Sequence, residues 1–259
     1  MMELFKNISD AEWLNMLVNP RDGIPLLPPE NIQERFCGRS GLLAMEQAME
    51  FYKVIREASK NTGRQLGSMD AIMDFGCGWG RIFRCFLRDV SPGVLCGCDC
   101  MPEMVNYCKN TFPGFEFIQN DPFPPIDFHD GKFDLIYAYS VFSHLSEAAH
   151  MAWLREFYRI MRPGGLIVLT TRPREFISYW PKLPYIHRVD DKKALSEYDA
   201  GKLVHIPVSG GDNLSDSFYG ETAIPEAYIR SEWSKWFKVE RILDNVIHVD
   251  QKIIVARKV

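Results

Sequence analysis

At 259 residues, with 46% hydrophobic and 25% charged side chains, the chain has the composition of a soluble globular protein with a sizeable core. A formal net charge of −4 argues against the basic footprint of a nucleic-acid binder, and no apolar run approaches the ~18 residues of a membrane span. Seven cysteines, an odd number, read as reduced thiols in a cytoplasmic compartment. The opening MMELFKNISDAEW is acidic and amphipathic rather than signal-like.

Ser9 or Asp10 caps a predicted helix over 9–19 that carries Trp13, Leu14 and Leu17 at helical spacing. Pro20, Pro25, Pro28 and Pro29 then predict an irregular linker. Helical patterning returns from Pro29 to about Asn61, broken at Gly38 to Gly41, and Leu42, Leu43, Met45, Met49 and Tyr52 form an apolar stripe expected to pack as core. Residues 1–65 are expected to form a helical cap on a domain spanning 66–259.

Ala71 to Arg81, AIMDFGCGWGR, reads as a buried strand, a tight turn and the start of a helix. Its glycines, Gly76, Gly78 and Gly80, let the backbone take special dihedrals and approach a ligand closely. Open α/β sheets bind ligands at the carboxyl ends of such strands. The pattern is D-x-G-x-G-x-G rather than the dinucleotide G-x-G-x-x-G, whose third glycine would fall on Arg81. Arg81 to Asp89 reads as the first helix, and residues 94–99, VLCGCD, as a second strand ending in Asp99. Asp99 is placed to accept from ribose hydroxyls or to cap the helix beginning near Pro102. Cys96, Cys98 and Cys100 share one face of that strand, with no C-x-x-C spacing and no nearby histidine, so core packing is expected and no metal.

The run DFGCGWGRI resembles the first motif of class I S-adenosylmethionine-dependent methyltransferases of the small-molecule and glycan-cluster type. The later order of helix, Arg162-Pro163-Gly164-Gly165 and apolar strand strengthens that resemblance. It implies a doubly wound, mostly parallel seven-stranded α/β sheet, with S-adenosylmethionine as cofactor and S-adenosylhomocysteine as product. It further implies Asp74, Gly76, Cys77, Gly78 and Gly80 as the aminoacyl-binding loop and Asp99 with Met101 at the sugar. Asp121, just after the third strand (115–120), falls at the adenine amino group, with a surface turn as the other reading, and Asn120 beside it and Tyr139 in the fourth strand (133–140) are further cofactor candidates. Segments N-terminal to the loop cover the ligand in relatives, which makes Arg39 and Ser40 candidates for its rim, with an exposed turn as the other reading.

Ser146 caps a helix running to about Met161, the Arg-Pro-Gly-Gly tetrapeptide turns it into the strand LIVLTT, and helices are expected between at least four of the five strands. Residues 173–225 shift in composition toward aromatics and glycine and read as a substrate-covering insertion. Pro225 to Trp236 then predicts an amphipathic helix, and Phe237–Leu243 with Lys252–Ala256 a closing antiparallel hairpin. His144, just after the fourth strand, and His205, in the insertion, are the candidate bases, since imidazole titrates near neutrality. His187 is a further candidate in the insertion, and Tyr219 and Glu221 are candidate acceptor ligands with Arg39. The expected partner is a small-molecule or glycan acceptor methylated at a hydroxyl; oligomeric state is left open. Two other readings stay open, a non-catalytic protein that keeps the fold and an NAD-dependent oxidoreductase or epimerase.

Overall fold

The apolar runs become strands because they can be covered on both sides, which is the requirement for parallel pairing. A computed structural model describes residues 5, 8–21, 23–186, 189–211 and 214–259. Strands β1 (Ile72–Phe75), β2 (Leu95–Asp99) and β4 (Phe133–Ala138) are buried at every residue. With β3 (Glu116–Gln119), β5 (Met161–Thr171), β8 (Phe237–Leu243) and β9 (Lys252–Lys258) they form one seven-stranded sheet in the order β3-β2-β1-β4-β5-β9-β8. The β1/β2, β2/β3 and β4/β5 pairs are parallel, while β5/β9 and β8/β9 are antiparallel. This is the doubly wound, mostly parallel sheet expected from the sequence.

The chain divides into two compact units, Met1–Gln119 with Val246–Val249, and Asn120–Asn245 with Asp250–Val259. In the first unit, α1 (Asp10–Val18) begins with a capping box in which Ser9 and Glu12 satisfy each other's backbone N–H groups. Asp10 then receives a bidentate contact from Arg56 and an ion pair from the buried Arg88. The Arg56 guanidinium, with Arg88, holds the Asp10 carboxyl well below the usual range. Helices α2 (Glu30–Cys37) and α3 (Gly41–Asn61) follow, separated by Gly38, whose φ of 68° closes α2 in the left-handed region. Met45, Met49 and Tyr52 are buried as expected, but Leu42 and Leu43 are 50% and 60% exposed. Both lie in the first turn of α3, on its open side. The segment after β1 differs too: Phe83–Arg88 is a 3₁₀ helix, not an α-helix. All six of its residues are buried, so no amphipathic face imposes the 3.6-residue period. Helix α4 (Pro102–Thr111) leads into β3, and Phe83, Phe112 and Phe117 pack with centroids 4.7 to 5.8 Å apart.

In the second unit the β3–β4 connection contains no helix among its residues 120–132, fewer crossovers than expected. Helix α5 (Glu147–Ile160), capped by Ser146, leads directly into β5. The Arg-Pro-Gly-Gly tetrapeptide is therefore not a free turn but a bulge inside the strand. Pairing jumps from Phe133↔Met161 to Leu135↔Leu166, and Gly164 at φ 76° absorbs the excess residues. Residues 173–225 hold a 3₁₀ helix (Arg174–Lys182), α6 (Asp191–Asp199) and a separate antiparallel pair, β6 (Val204–Pro207) with β7 (Gly220–Ala223). Ile177, Trp180, Ala194, Tyr198 and Val204 give this segment its own small core. The last helix is shorter than its pattern, α7 (Glu226–Glu232) passing into a 3₁₀ turn at Trp233–Lys235.

Candidate active site

In the first unit the three loop glycines all need the left-handed region, with φ of 71°, 50° and 78° at Gly76, Gly78 and Gly80. Gly76 N–H and Cys77 N–H donate to the Cys98 carbonyl at 2.9 and 3.0 Å, which ties the loop to the end of β2. Gly78 N–H donates to Asp99 Oδ2 at 2.8 Å and Met101 N–H to Asp99 Oδ1 at 2.9 Å. Asp99 thus ties the glycine loop to Met101, the residue that opens α4, and burial raises its pKa. A carboxylate offers about four acceptor sites, and backbone N–H groups of Gly78, Cys100 and Met101 take three of them, so Asp99 retains capacity for one ligand hydroxyl. Asp74 is also buried, at the end of β1. Two buried carboxylates beside an N–H-rich glycine loop fit a ligand carrying positive charge and hydroxyls better than a pyrophosphate. Arg81, where a dinucleotide loop would have its third glycine, is buried and donates to the Ala44 carbonyl and Gln47 Oε1 on α3. Arg39 belongs to this unit and is half-buried between α2 and α3, its carbonyl accepting from Cys37 Sγ at 3.1 Å; Ser40 donates to Glu34.

In the second unit, polar side chains from distant parts of the sequence meet beyond the end of β4. Ser140 turns the chain at φ 59°, an uncommon conformation for a side-chain-bearing residue. Its N–H donates to Thr170 Oγ1, and its hydroxyl is held by Ser143 and Gln251. The next residues run alongside β7: the Ser143 carbonyl accepts from Thr222 N–H, and the His144 carbonyl accepts from Gly220 N–H. The His144 backbone is locked, and its ring stacks on Tyr219 with centroids 4.9 Å apart.

His144 Nδ1 lies 2.8 Å from the Gly220 carbonyl, an acceptor only, so Nδ1 carries the proton and Nε2 the lone pair. Nε2 makes no hydrogen bond among the described residues. Burial lowers the pKa of His144, against the opposing pull of Glu221, so the ring is neutral. Glu221 Oε1 stands 3.7 Å from Nδ1 and accepts from the Tyr185 hydroxyl at 3.0 Å. Glu221 is 3% exposed, and its Oε2 has no partner among the described residues. Arg172, at the end of β5, adds positive charge felt by both His144 and Tyr185, and its buried Nε likewise has no partner.

His205 faces Thr222 across the β6/β7 pair and contacts its hydroxyl at 2.8 Å. That hydroxyl donates to the Leu145 carbonyl, so His205 Nδ1–H must be the donor to it. Its Nε2 is sealed from solvent with no partner among the described residues, and burial pushes its pKa down to about 4. Gly220 makes room for this ring, since an added Cβ would meet His205 Cε1 at 2.9 Å and the Ile206 carbonyl at 2.0 Å.

The structure therefore brings His144, Tyr219 and Glu221 together, with His205 on the neighbouring strand. Sequence reasoning missed Tyr185 and Arg172 as members of the group and Thr222 as the residue that sets the His205 tautomer. Asn120 is buried, its Oδ1 without a partner among the described residues, whereas Asp121 is exposed. Tyr139 is nearly buried and its hydroxyl donates to Asp250 at 3.3 Å. Cys96 and Cys98 are buried in β2. No group of three or more His, Cys, Asp or Glu that could hold a metal occurs among the described residues, and none of their helices is long and apolar enough to cross a membrane. His187 lies outside the described residues.

A family model described as a methyltransferase domain matches residues 72–165. A malonyl-[acyl-carrier protein] O-methyltransferase of Yersinia pestis is 27% identical over 155 residues, 58% of this chain and 55% of that protein, so the match spans about half its length. Among solved structures, an S-adenosylmethionine-dependent methyltransferase of Mesorhizobium loti superposes with TM-score 0.55 at 18% identity, covering 78% of this chain and 96% of the other. A 1,6-didemethyltoxoflavin-N1-methyltransferase of Burkholderia thailandensis gives 0.55 at 14% identity, covering 97% and 91%. At these identities the solved structures speak for the fold.

Proposed function

We propose that this chain, a member of the class I S-adenosylmethionine-dependent methyltransferases, methylates a hydroxyl of a small or medium polar acceptor such as a sugar, a glycan-linked group or another metabolite. The observation that carries the reading is the His144 group in the second unit, a neutral imidazole whose Nε2 has no partner among the described residues, beside a buried carboxylate. S-adenosylmethionine, when bound, would supply a methyl on a sulfonium, whose carbon–sulfur bond would break as the acceptor oxygen bonds the carbon. Asp74 and the glycine loop are suited to the aminoacyl end and Asp99 to the ribose.

His144 Nε2 takes the hydroxyl proton, and the Gly220 carbonyl keeps the ring in the tautomer that can do so. General-base assistance of this kind is worth ~10² to 10⁴ in rate; orientation of the acceptor by Tyr219, Tyr185 and Glu221 supplies the rest of the acceleration. His205 stays a second candidate base, although its sealed Nε2 would have to be uncovered first. In this reading the 173–225 segment covers the acceptor.

Calorimetric titration with S-adenosylmethionine, S-adenosylhomocysteine and NAD tests the assignment. The first two are expected to bind and NAD not, and Asp99→Ala is expected to weaken binding by about 1–3 kcal/mol. Binding of NAD without the sulfonium compound would sink it, and unchanged affinity in Asp99→Ala would remove that residue from the site.

A further inference from the structure

Glu221 has more hydrogen-bonding capacity than the protein uses. It is a side chain 4% exposed, with one oxygen on the Tyr185 hydroxyl and the other on nothing among the described residues. Burying a carboxylate oxygen without a donor costs free energy that a structural role does not return. A ligand that brings a donor recovers it. Glu221 also stands 3.7 Å from the imidazole of His144, so one small molecule can reach both groups.

The surroundings say which donor. Arg172, 3.8 Å from Asp250 and over the Phe176 ring, already places a guanidinium in this neighbourhood, and its charge reaches His144 and Tyr185. An ammonium would meet that charge, whereas a neutral hydroxyl would not. Burial and Glu221 push the Tyr185 phenol well above its ordinary pKa, so it stays an uncharged donor. The stacked His144 and Tyr219 rings offer an apolar face beside these polar groups, which suits a ring bearing hydroxyls on one edge.

We infer that Glu221 is a specificity-determining residue that receives a second hydroxyl of the acceptor, so that the acceptor is a diol rather than an isolated alcohol, with one hydroxyl on His144 and its neighbour on Glu221 Oε2. The inference rests on the methyl-transfer reading above and goes beyond it in naming the group next to the methylated oxygen.

The test uses paired probes that differ by one hydroxyl, catechol against phenol and cis-cyclohexane-1,2-diol against cyclohexanol. Binding is measured by ligand-observed NMR on the full chain saturated with S-adenosylhomocysteine, and transfer by labelled methyl from S-adenosylmethionine. At least one diol is expected to bind tenfold or more tightly than its mono-hydroxyl partner. Glu221→Ala should abolish that preference, seen as a rise in KM for the diol and a fall of its kcat/KM to that of its mono-hydroxyl partner. S-adenosylhomocysteine affinity reports that the variant is folded. Equal binding of both partners to the wild-type chain, no binding of any diol, or a preference that survives in Glu221→Ala overturns the inference. Failure of S-adenosylhomocysteine itself to bind overturns instead the methyl-transfer reading beneath it. Tighter binding of 2-aminocyclohexanol than of the diol, lost in Glu221→Ala, would replace the hydroxyl by an ammonium and also overturn the proposal.

Discussion

At the scale of single residues, His144 and His205 have the same side chain and the same tautomer but different reach. Each has Nδ1 committed to an oxygen, the Gly220 carbonyl for His144 and the Thr222 hydroxyl for His205. Only the His205 Nε2 is fully sealed, so reach favours His144 as the base. Replacing His144 with Ala is therefore expected to lower kcat by ~10² to 10⁴ while cofactor affinity measured by calorimetry stays close to wild type. Its lowered pKa also fixes the sign of the pH dependence. The lone pair is lost only when the ring is protonated, so activity of the wild type should fall on the acid side, with its midpoint below the ordinary 6.5. A rate profile flat through that region, or a His144→Ala enzyme of full activity, would take the proton-transfer role away from this residue.

At the scale of elements, the glycine loop is the clearest case of sequence dictating conformation. Gly80 is needed twice over: its φ is 78°, and a Cβ there would meet the Phe112 ring at 2.5 Å. Gly80→Ala should destabilise the fold by about 2 kcal/mol or more, from left-handed strain and overpacking together. Gly93→Ala is the matched control, since its φ is 93° but its Cβ would meet nothing within 4 Å. Urea denaturation of the two variants isolates the packing contribution, and equal losses would show that Phe112 yields freely. The loop was legible because glycine spacing, a preceding apolar run and a following acid are local facts. The His144 group was legible only in its members. His144, Tyr219 and Glu221 stood out as residues, but their meeting depends on β7 hydrogen-bonding to residues 143–144, a contact about 77 positions apart in the chain. Tyr185 and Arg172 carried no local signal at all, because their role exists only once the fold brings them to the His144 and Glu221 group. The Arg-Pro-Gly-Gly bulge was misread for the same reason, since strand pairing across it is set by β4 rather than by the tetrapeptide.

At the scale of the whole molecule, the second unit is built around neutral histidines, and that makes stability depend on pH. His150 is the extreme. It is fully buried, its Nε2 accepts from Trp233 Nε1 at 2.9 Å, and its ring packs against Phe142, Tyr228 and Trp233. Desolvation lowers its pKa from 6.5 to about 3, and His205 falls to about 4 for the same first cause. Between those values and 6.5 the unfolded chain binds protons that the folded chain refuses, so stability rises with pH there and is lost as pH falls from about 6.5 toward 3. Asp10, whose carboxyl is held low by Arg56 and Arg88, adds a loss of the same sign at lower pH. Asp99, raised by burial, works in the opposite direction, because protonation there favours the folded state. The histidines outnumber it, and each contributes up to about 1.4 kcal/mol per pH unit within its window. Thermal unfolding followed from pH 7 down to pH 4 should show a falling Tm. His150→Gln is the informative variant, because a side-chain carbonyl can still accept from Trp233 while the group no longer gains a proton. It is expected to start less stable at pH 7, where its shape fits the aromatic site poorly, and to lose stability more slowly on acidification. Parallel Tm curves for the variant and the wild-type chain would mean that His150 is protonated in the folded state after all.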